Sequence, residues 1–332
     1  MNAHRYSRRK ARQQGVAVIT ALLLTTLAIT IVASLFWQQQ VQVRAIENQR
    51  LQLQKQWILR GALDWSRLIL REDARHSRVD HLGEPWAVPL AETRLDEYVE
   101  NKEAAGDVPD AALSGGIVDA QSRFNLTNLA QQGKVNQNEV AAFARLLSIA
   151  RQNSSLAQAT ADMMAATQAA SLPATVAGAT GTAAPASSPS SKKPLGILQV
   201  DDLLAVPDFT PEALAAIKDF IVVIPRTTQI NVNTAPAEVL AARIGTLSLS
   251  EATTLVAARE SAWFKDVNDF EQRLQGKTID PLDKQQLAVS TNYFLVNGNV
   301  RLNRAGMQMQ ALIERSGSGA LPSTQVIWIR ES

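Results

Sequence analysis

Cysteine is missing from all 332 residues, and histidine occurs three times, at His4, His76 and His81. No disulfide, thiolate metal site or thiol nucleophile is available, although that alone names no compartment. The histidines form no spaced pair of the kind zinc sites use, and no GxSxG, Walker or HExxH pattern is present. Charge is also scarce, at a formal +2 overall, and Arg5, Arg8, Arg9, Lys10 and Arg12 supply more than that excess. The rest of the chain is mildly acidic, which argues against a surface that generally seeks nucleic acid. Nothing in this inventory asks for an enzyme.

The longest local absence is of charge itself. Val16 to Trp37 carries none over 22 residues. As a helix rising 1.5 Å per residue it would span about 33 Å, matching the hydrocarbon core of a bilayer. It is too long for the apolar core of a cleaved secretory signal, and Ala33-Ser34-Leu35-Phe36-Trp37 is a poor signal-peptidase site. The basic cluster before the span predicts a cytoplasmic N-terminus, with the remainder translocated. From Gln38 to Asp73 there is no proline and one glycine, Gly61. The residues are strong helix formers, with apolar positions at Ile46, Leu53, Trp57, Leu63 and Leu68. The spacing predicts one long helix, lipid-like in its first half and amphipathic in its second.

Basic leader, Gln13-Gln14-Gly15 and Val16-Ala17-Val18-Ile19-Thr20 together resemble the N-terminus of type IV pilins and type II secretion pseudopilins. The resemblance implies cleavage by a prepilin peptidase between Gly15 and Val16, with methylation of the new N-terminus on Val16. Most members carry glutamate at the fifth mature position; here it is Thr20. A lipid-buried glutamate needs a partner, whereas threonine can bond back to its own helix. Loss of that glutamate is typical of the K-type minor pseudopilin, although a tolerated threonine in an ordinary anchor would read the same. Further on, Trp86 and Pro89, then Ile117, Asp119, Arg123, Phe124, Asn125, Leu126, Asn128 and Leu129, match a W-x-x-P segment and an I-x-D-x-x-x-R-F-N-L-N-N-L signature of the same K family.

Beyond the signature, Asn138 to Arg151 reads as a helix. A low-complexity stretch follows, in which 155–170 is alanine-rich and about 168–194 is expected to be flexible. The family has an acidic calcium-binding run here, but this chain offers only Asp162, so the residues do not support carrying the calcium over and no cofactor is expected. The adjacent acids Glu72-Asp73 and Asp201-Asp202 read as solvated or helix-start charges. Ile197 to Val223 and the segment from Ile230 look like helix–hairpin–helix units. Thr210, Thr234 and Ser248 or Ser250 are candidate N-caps. Their turns, Pro207-Asp208-Phe209 and Gly245-Thr246-Leu247-Ser248, lack the glycine-rich, basic setting of a phosphate site. The last forty residues alternate as short strands.

These readings give an α+β protein: a pilin-like long N-terminal helix on a small antiparallel sheet, with a large inserted all-α domain containing helix–hairpin–helix-like units. The expected divisions are a leader, 1–15; a transmembrane part, 16–37; a periplasmic helix, 38–73; a pilin-like head, 74–123 and 286–332; and the insertion, 124–285. The resemblance implies a minor pseudopilin at the tip of the type II secretion pseudopilus, nucleating assembly for export across the outer membrane. Its expected partners are the I-type and J-type minor pseudopilins, other pseudopilins, the inner-membrane assembly platform and the prepilin peptidase. It would be a single-pass inner-membrane protein with a periplasmic head, and no nucleic acid is expected. The alternative is a membrane-anchored DNA-binding protein that uses the helix–hairpin–helix units.

Overall fold

The computed structural model describes residues 14–94, 111–171, 196–302, 305–317 and 321–332. Most of the leader (1–13) and the low-complexity stretch from 172 onward fall outside these. The chain divides into two units between Trp57 and Ile58. Helix α1, Gln14–His76, is unbroken, as expected of a stretch without proline and rich in helix formers. Its large apolar residues from Val16 to Trp37 are all exposed, and this is the one helix among the described residues long and apolar enough to cross a membrane. Its threonines bond inward along the helix rather than outward. Thr20 Oγ1 donates to the carbonyls of Val16 and Ala17, both at 3.0 Å, and Thr30 to that of Leu27 at 2.8 Å.

In the second unit, five antiparallel strands form a sheet. They are β1 (Leu90–Arg94), β2 (Ala111–Asp119), β9 (Tyr293–Leu302), β10 (Ala305–Ser316) and β11 (Ser323–Glu331), and the order is β1-β2-β9-β10-β11. The stretch Asp80–Thr93 reads as a loop because of its glycine and two prolines, yet Leu90–Arg94 forms the edge strand, the place where a preceding proline is tolerated. Leu59, Leu63 and Leu70 pack with Trp86, Phe294, Val296, Met307, Met309 and Ile313 on one sheet face. The buried stripe of α1 runs through Leu59, Leu63, Ser66, Leu70 and Ala74, at steps of three and four residues. Leu68, expected on that stripe, is 46% exposed because five residues from Leu63 carries it well around the helix. The opposite sheet face holds Val222, Ile224, Leu295 and Leu312.

Between β2 and β9 come β3 (Phe124–Asn125), the hairpin β4 (Ala130–Gln131) and β5 (Lys134–Val135), and the helices α2 (Gln137–Ile149) and α3 (Leu156–Ser171). Then follow α4 (Pro211–Ile217), β6 (Ile221–Val222), β7 (Ile230–Asn231), α5 (Ala237–Arg243), α6 (Leu249–Ser261), α7 (Val267–Gln272), α8 (Pro281–Lys284) and β8 (Leu287–Ala288). Helix α3 runs to Ser171, into the stretch expected to be flexible from about 168. These elements close one core around Phe124, Leu126, Leu129, Phe143, Leu240 and Phe264. Two short parallel pairings, β3 with β6 and β7 with β8, tie distant parts of the segment together.

Gly115 on β2 lies opposite Gly298 on β9. A Cβ at Gly115 would fall 2.2 Å from the Asn297 carbonyl oxygen, and one at Gly298 would lie 3.0 Å from Leu59. The glycine pair therefore permits the strands and α1 to approach. Gly61, by contrast, has nothing within 4 Å of its would-be Cβ. Gly115→Ala should lower unfolding stability by roughly 1–3 kcal/mol, whereas Gly61→Ala should raise it by about 0.5–1 kcal/mol; chemical denaturation of the two variants checks the contrast.

Candidate functional site

The signature residues assemble a joint where the sheet meets the helical segment. Asp119 ends β2 and is buried, so its carboxylate must find protein donors. Oδ1 accepts from the Gln121 amide at 2.7 Å, while Oδ2 accepts from Asn231 Nδ2 at 2.9 Å and Thr234 Oγ1 at 2.6 Å. Asn231 Nδ2 also donates to the Asp80 carbonyl at 3.0 Å. Thr234, expected to cap the following helix, instead spends its hydroxyl on Asp119; Pro236 stands at the N-cap of α5. Its short side chain reaches a buried acid and adds a hydroxyl donor to the two amide donors already there. Burial pushes the Asp119 carboxyl up to about 6, against the lowering effect of the hydroxyl and amide donors.

Asn125 and Asn128 hold the segment that leads from β6 to β7. Asn125 Nδ2 donates to the Arg226 carbonyl at 2.7 Å and to Thr228 Oγ1 at 3.1 Å, and its Oδ1 accepts from the amides of Ile224 and Thr127 at 3.1 and 3.2 Å. Asn128 makes a reciprocal pair with Thr228, donating to its carbonyl at 2.8 Å and accepting from its amide at 3.0 Å. The carboxamide suits this task because it presents donor and acceptor in one plane, as a peptide group does. Leu126 and Leu129 are fully buried beneath. Phe124 stacks on Phe143 at 5.4 Å, with the Arg243 guanidinium above its ring. That arginine is buried and forks onto the buried Glu139. Arg123 is partly buried; burial lowers its pKa and the charge of Asp219 opposes the shift.

Trp86 and Pro89 sit elsewhere, at the α1 side of the sheet. Trp86 is buried edge-on against Phe294 and donates through Nε1 to Glu84 at 2.8 Å; Pro89 is exposed and passes over Gly116. Nearby, Asp73, Asp80 and Glu84 bring carboxylates together. Arg315 of β10 answers the first two, at 2.7 and 2.5 Å, and lies over the Phe294 ring. Asp73 is thus a buried partner in an ionic lock rather than a solvated charge. Composition cannot show this, because its partner lies 242 residues away. Asn231, Asn233, Arg259 and Arg315 are structural anchors that the sequence does not mark. Asn233 pairs with both the amide and the carbonyl of Phe264, at 2.8 and 2.9 Å, and Arg259 donates to the carbonyls of Val232 and Ala235. The signal for the asparagines is the run Ile230-Asn231-Val232-Asn233-Thr234, visible as a motif but not as an anchor.

At the second hairpin turn the start of α6 is closed by its own acid. Glu251 accepts from the Ser248 amide at 2.9 Å and from Lys277 Nζ at 2.5 Å, which holds its carboxyl down to about 2. A phosphate would meet that carboxylate where free amides are needed. In the first turn Asp208 is exposed at φ 64°. Gly15 lies near the start of α1, and among the described residues Asp162 accepts from Gln158, at 2.8 Å.

Asn125→Ala would strand the Ile224 and Thr127 amides and release Arg226–Thr228, so it should cost roughly 2–4 kcal/mol. Limited trypsin digestion should then cut at Arg226 faster than in the parent chain. Asp119 sets a pH dependence. Its folded pKa lies above its unfolded value, so the folded state holds the proton more tightly. Its contribution is fully present below about pH 4 and is lost as pH rises through about 6, worth up to roughly 3 kcal/mol. Urea midpoints measured from pH 7.5 down to 5 should rise in the parent, with a flatter slope in Asp119→Asn.

Two family models match, both described as type II secretion system (T2SS), protein K, at residues 122–226 and 230–291. The type II secretion system protein K of Pseudomonas aeruginosa is 28% identical over 319 residues, covering 93% of this chain and 91% of that protein. A chain of the crystal structure of the GspK-GspI-GspJ complex from the enterotoxigenic Escherichia coli type 2 secretion system has the same fold. It has a TM-score of 0.63 at 19% identity, covering 86% of this chain and 98% of that one. The chain belongs to the type II secretion system protein K family of minor pseudopilins.

Proposed function

We propose that this protein is processed between Gly15 and Val16, is methylated on Val16, and caps the secretion pseudopilus. The span from Val16 to Trp37 anchors it in the inner membrane with its N-terminus cytoplasmic, and the head stands in the periplasm. There it nucleates the filament with I-type and J-type partners, by analogy with the GspK-GspI-GspJ complex of E. coli. The observation that carries the tip reading is Thr20. Its hydroxyl is satisfied twice within its own helix, at 3.0 Å each. It therefore makes no demand on a neighbour's terminal amine, as a glutamate there would. The helical segment between β2 and β9 supports the same reading, since it adds bulk to the head where another subunit would stack. The basic residues before the span support the orientation. The DNA-binding reading has no comparable support, since Glu251 closes the hairpin's helix start.

Intact-mass analysis of the protein from cells with and without prepilin peptidase tests the processing. A chain that starts at methylated Val16 only in the presence of the peptidase is the expected result. Gly15→Leu should leave the leader attached, because a bulky side chain replaces the small residue at the cut. An uncut Met1 form in both strains would end this reading.

A further inference from the structure

A polar cleft of about 430 Å³ opens beside the Asn125–Asn128 joint, between β4, the Arg226–Gln229 segment and residues 285–293. Its lining is dominated by carboxamides. Several are committed: Gln121 donates to the Gln229 carbonyl at 3.0 Å and accepts from the Asn292 amide at 2.6 Å, and Asn128 holds Thr228. The side chains of Gln131, Thr227, Gln285, Gln286 and Asn292 make no hydrogen bond among the described residues. Their backbones are nevertheless fixed at several points. The Gln285 carbonyl accepts from Gln229 Nε2 at 2.7 Å, the Gln286 carbonyl from the Ile230 amide at 2.8 Å, and the Asn292 carbonyl from the Arg315 amide at 2.7 Å. Unspent amides are thus presented from held positions around one hollow.

The charges that line this hollow are already answered. Glu139 is forked by Arg243, and Glu314 accepts from Tyr293 Oη at 2.9 Å and from Arg226 at 3.3 Å. A charged ligand would have to break these pairs. A neutral ligand rich in both donors and acceptors would not. Saccharides and peptide main chain are two such classes. A sugar ring favours an open aromatic face, and among the described residues the only aromatic lining the cleft, Tyr293, is 5% exposed with its hydroxyl engaged. A carboxamide matches a peptide group donor for acceptor, as Asn128 does with Thr228 in the same wall.

We propose that this cleft binds an uncharged, extended polar peptide segment of a partner protein, read by Gln131, Gln285, Gln286 and Asn292 through its main-chain amides. The volume lies within the range of sites that hold small ligands, so a few residues would be bound. The proposal is independent of N-terminal processing and of position in the filament.

Calorimetric titration of the full chain in detergent micelles tests it, with acetyl-Gly-Ser-Asn-Gln-Thr-Gly-amide as probe and chitotriose as the saccharide comparator. The expected result is saturable binding of the peptide, weakened at least about tenfold in Gln286→Ala/Asn292→Ala by loss of two amide contacts. Gln131→Ala, on the opposite wall, should weaken it separately. None of these side chains makes a hydrogen bond among the described residues, so unfolding midpoints should match the parent. Absence of saturation at about 5 mM peptide, equal affinity in the variants, or preferential binding of chitotriose would overturn the proposal.

Discussion

A carboxylate shut away from water must be answered by protein donors, and the arrangement around Asp119 follows from that requirement. The residue ends a sheet strand, yet two of its donors, Asn231 and Thr234, lie in the helical segment. Asn231 extends the link to the Asp80 carbonyl, and Asp80 itself binds Arg315 and the Thr291 amide. One chain of polar contacts therefore runs from the end of β2, through the segment, to the loop after α1 and to β10. Each member contacts at least one other buried polar group of the chain, so the members act together rather than singly.

That continuity matters because of the chain's order. Strands β2 and β9 pair along nine residues, although the whole helical segment lies between them in sequence. Loop-closure entropy works against such a pairing. A segment that folded on its own but swung freely would leave the two strands dependent on their ladder alone. The asparagine clamps prevent this by fixing Ile224–Thr228 against the very turn that leaves β2. Arg315 does the same on the other side, binding the end of α1 and the following loop to β10.

What can be read from sequence follows the range of the interactions involved. Helix α1 is legible because local composition determines it, and the strands β9 to β11 because alternation does. The caps at Thr210 and Ser248 are legible for the same reason, since N-cap and partner lie three residues apart. Thr234 misleads because its sequence setting, two residues before Pro236, is that of a cap, and only the fold reveals a buried acid within reach. Asp73 misleads in the same way: nothing next to an acidic pair announces an arginine from the far end of the chain. The signature itself is visible as a resemblance, but its work as a set of backbone clamps is a matter of three-dimensional neighbours. The position of the side chains of Gln286 and Asn292 is likewise set by which backbones the fold holds still.

The membrane span and the joint solve the same problem in different media. In lipid, an unsatisfied hydroxyl has no solvent to turn to, and Thr20, Thr25, Thr26 and Thr30 each return theirs to a carbonyl three or four residues back. In the head, Asp119, Asn125 and Asn128 are answered from within the same unit. A shaft subunit with glutamate in its span is incomplete until a neighbour supplies the countercharge, so its stability depends on the filament. Here both polar sets are complete in the isolated chain. For the filament cap proposed above, this self-sufficiency is the physical property that a position with no neighbour on one side requires.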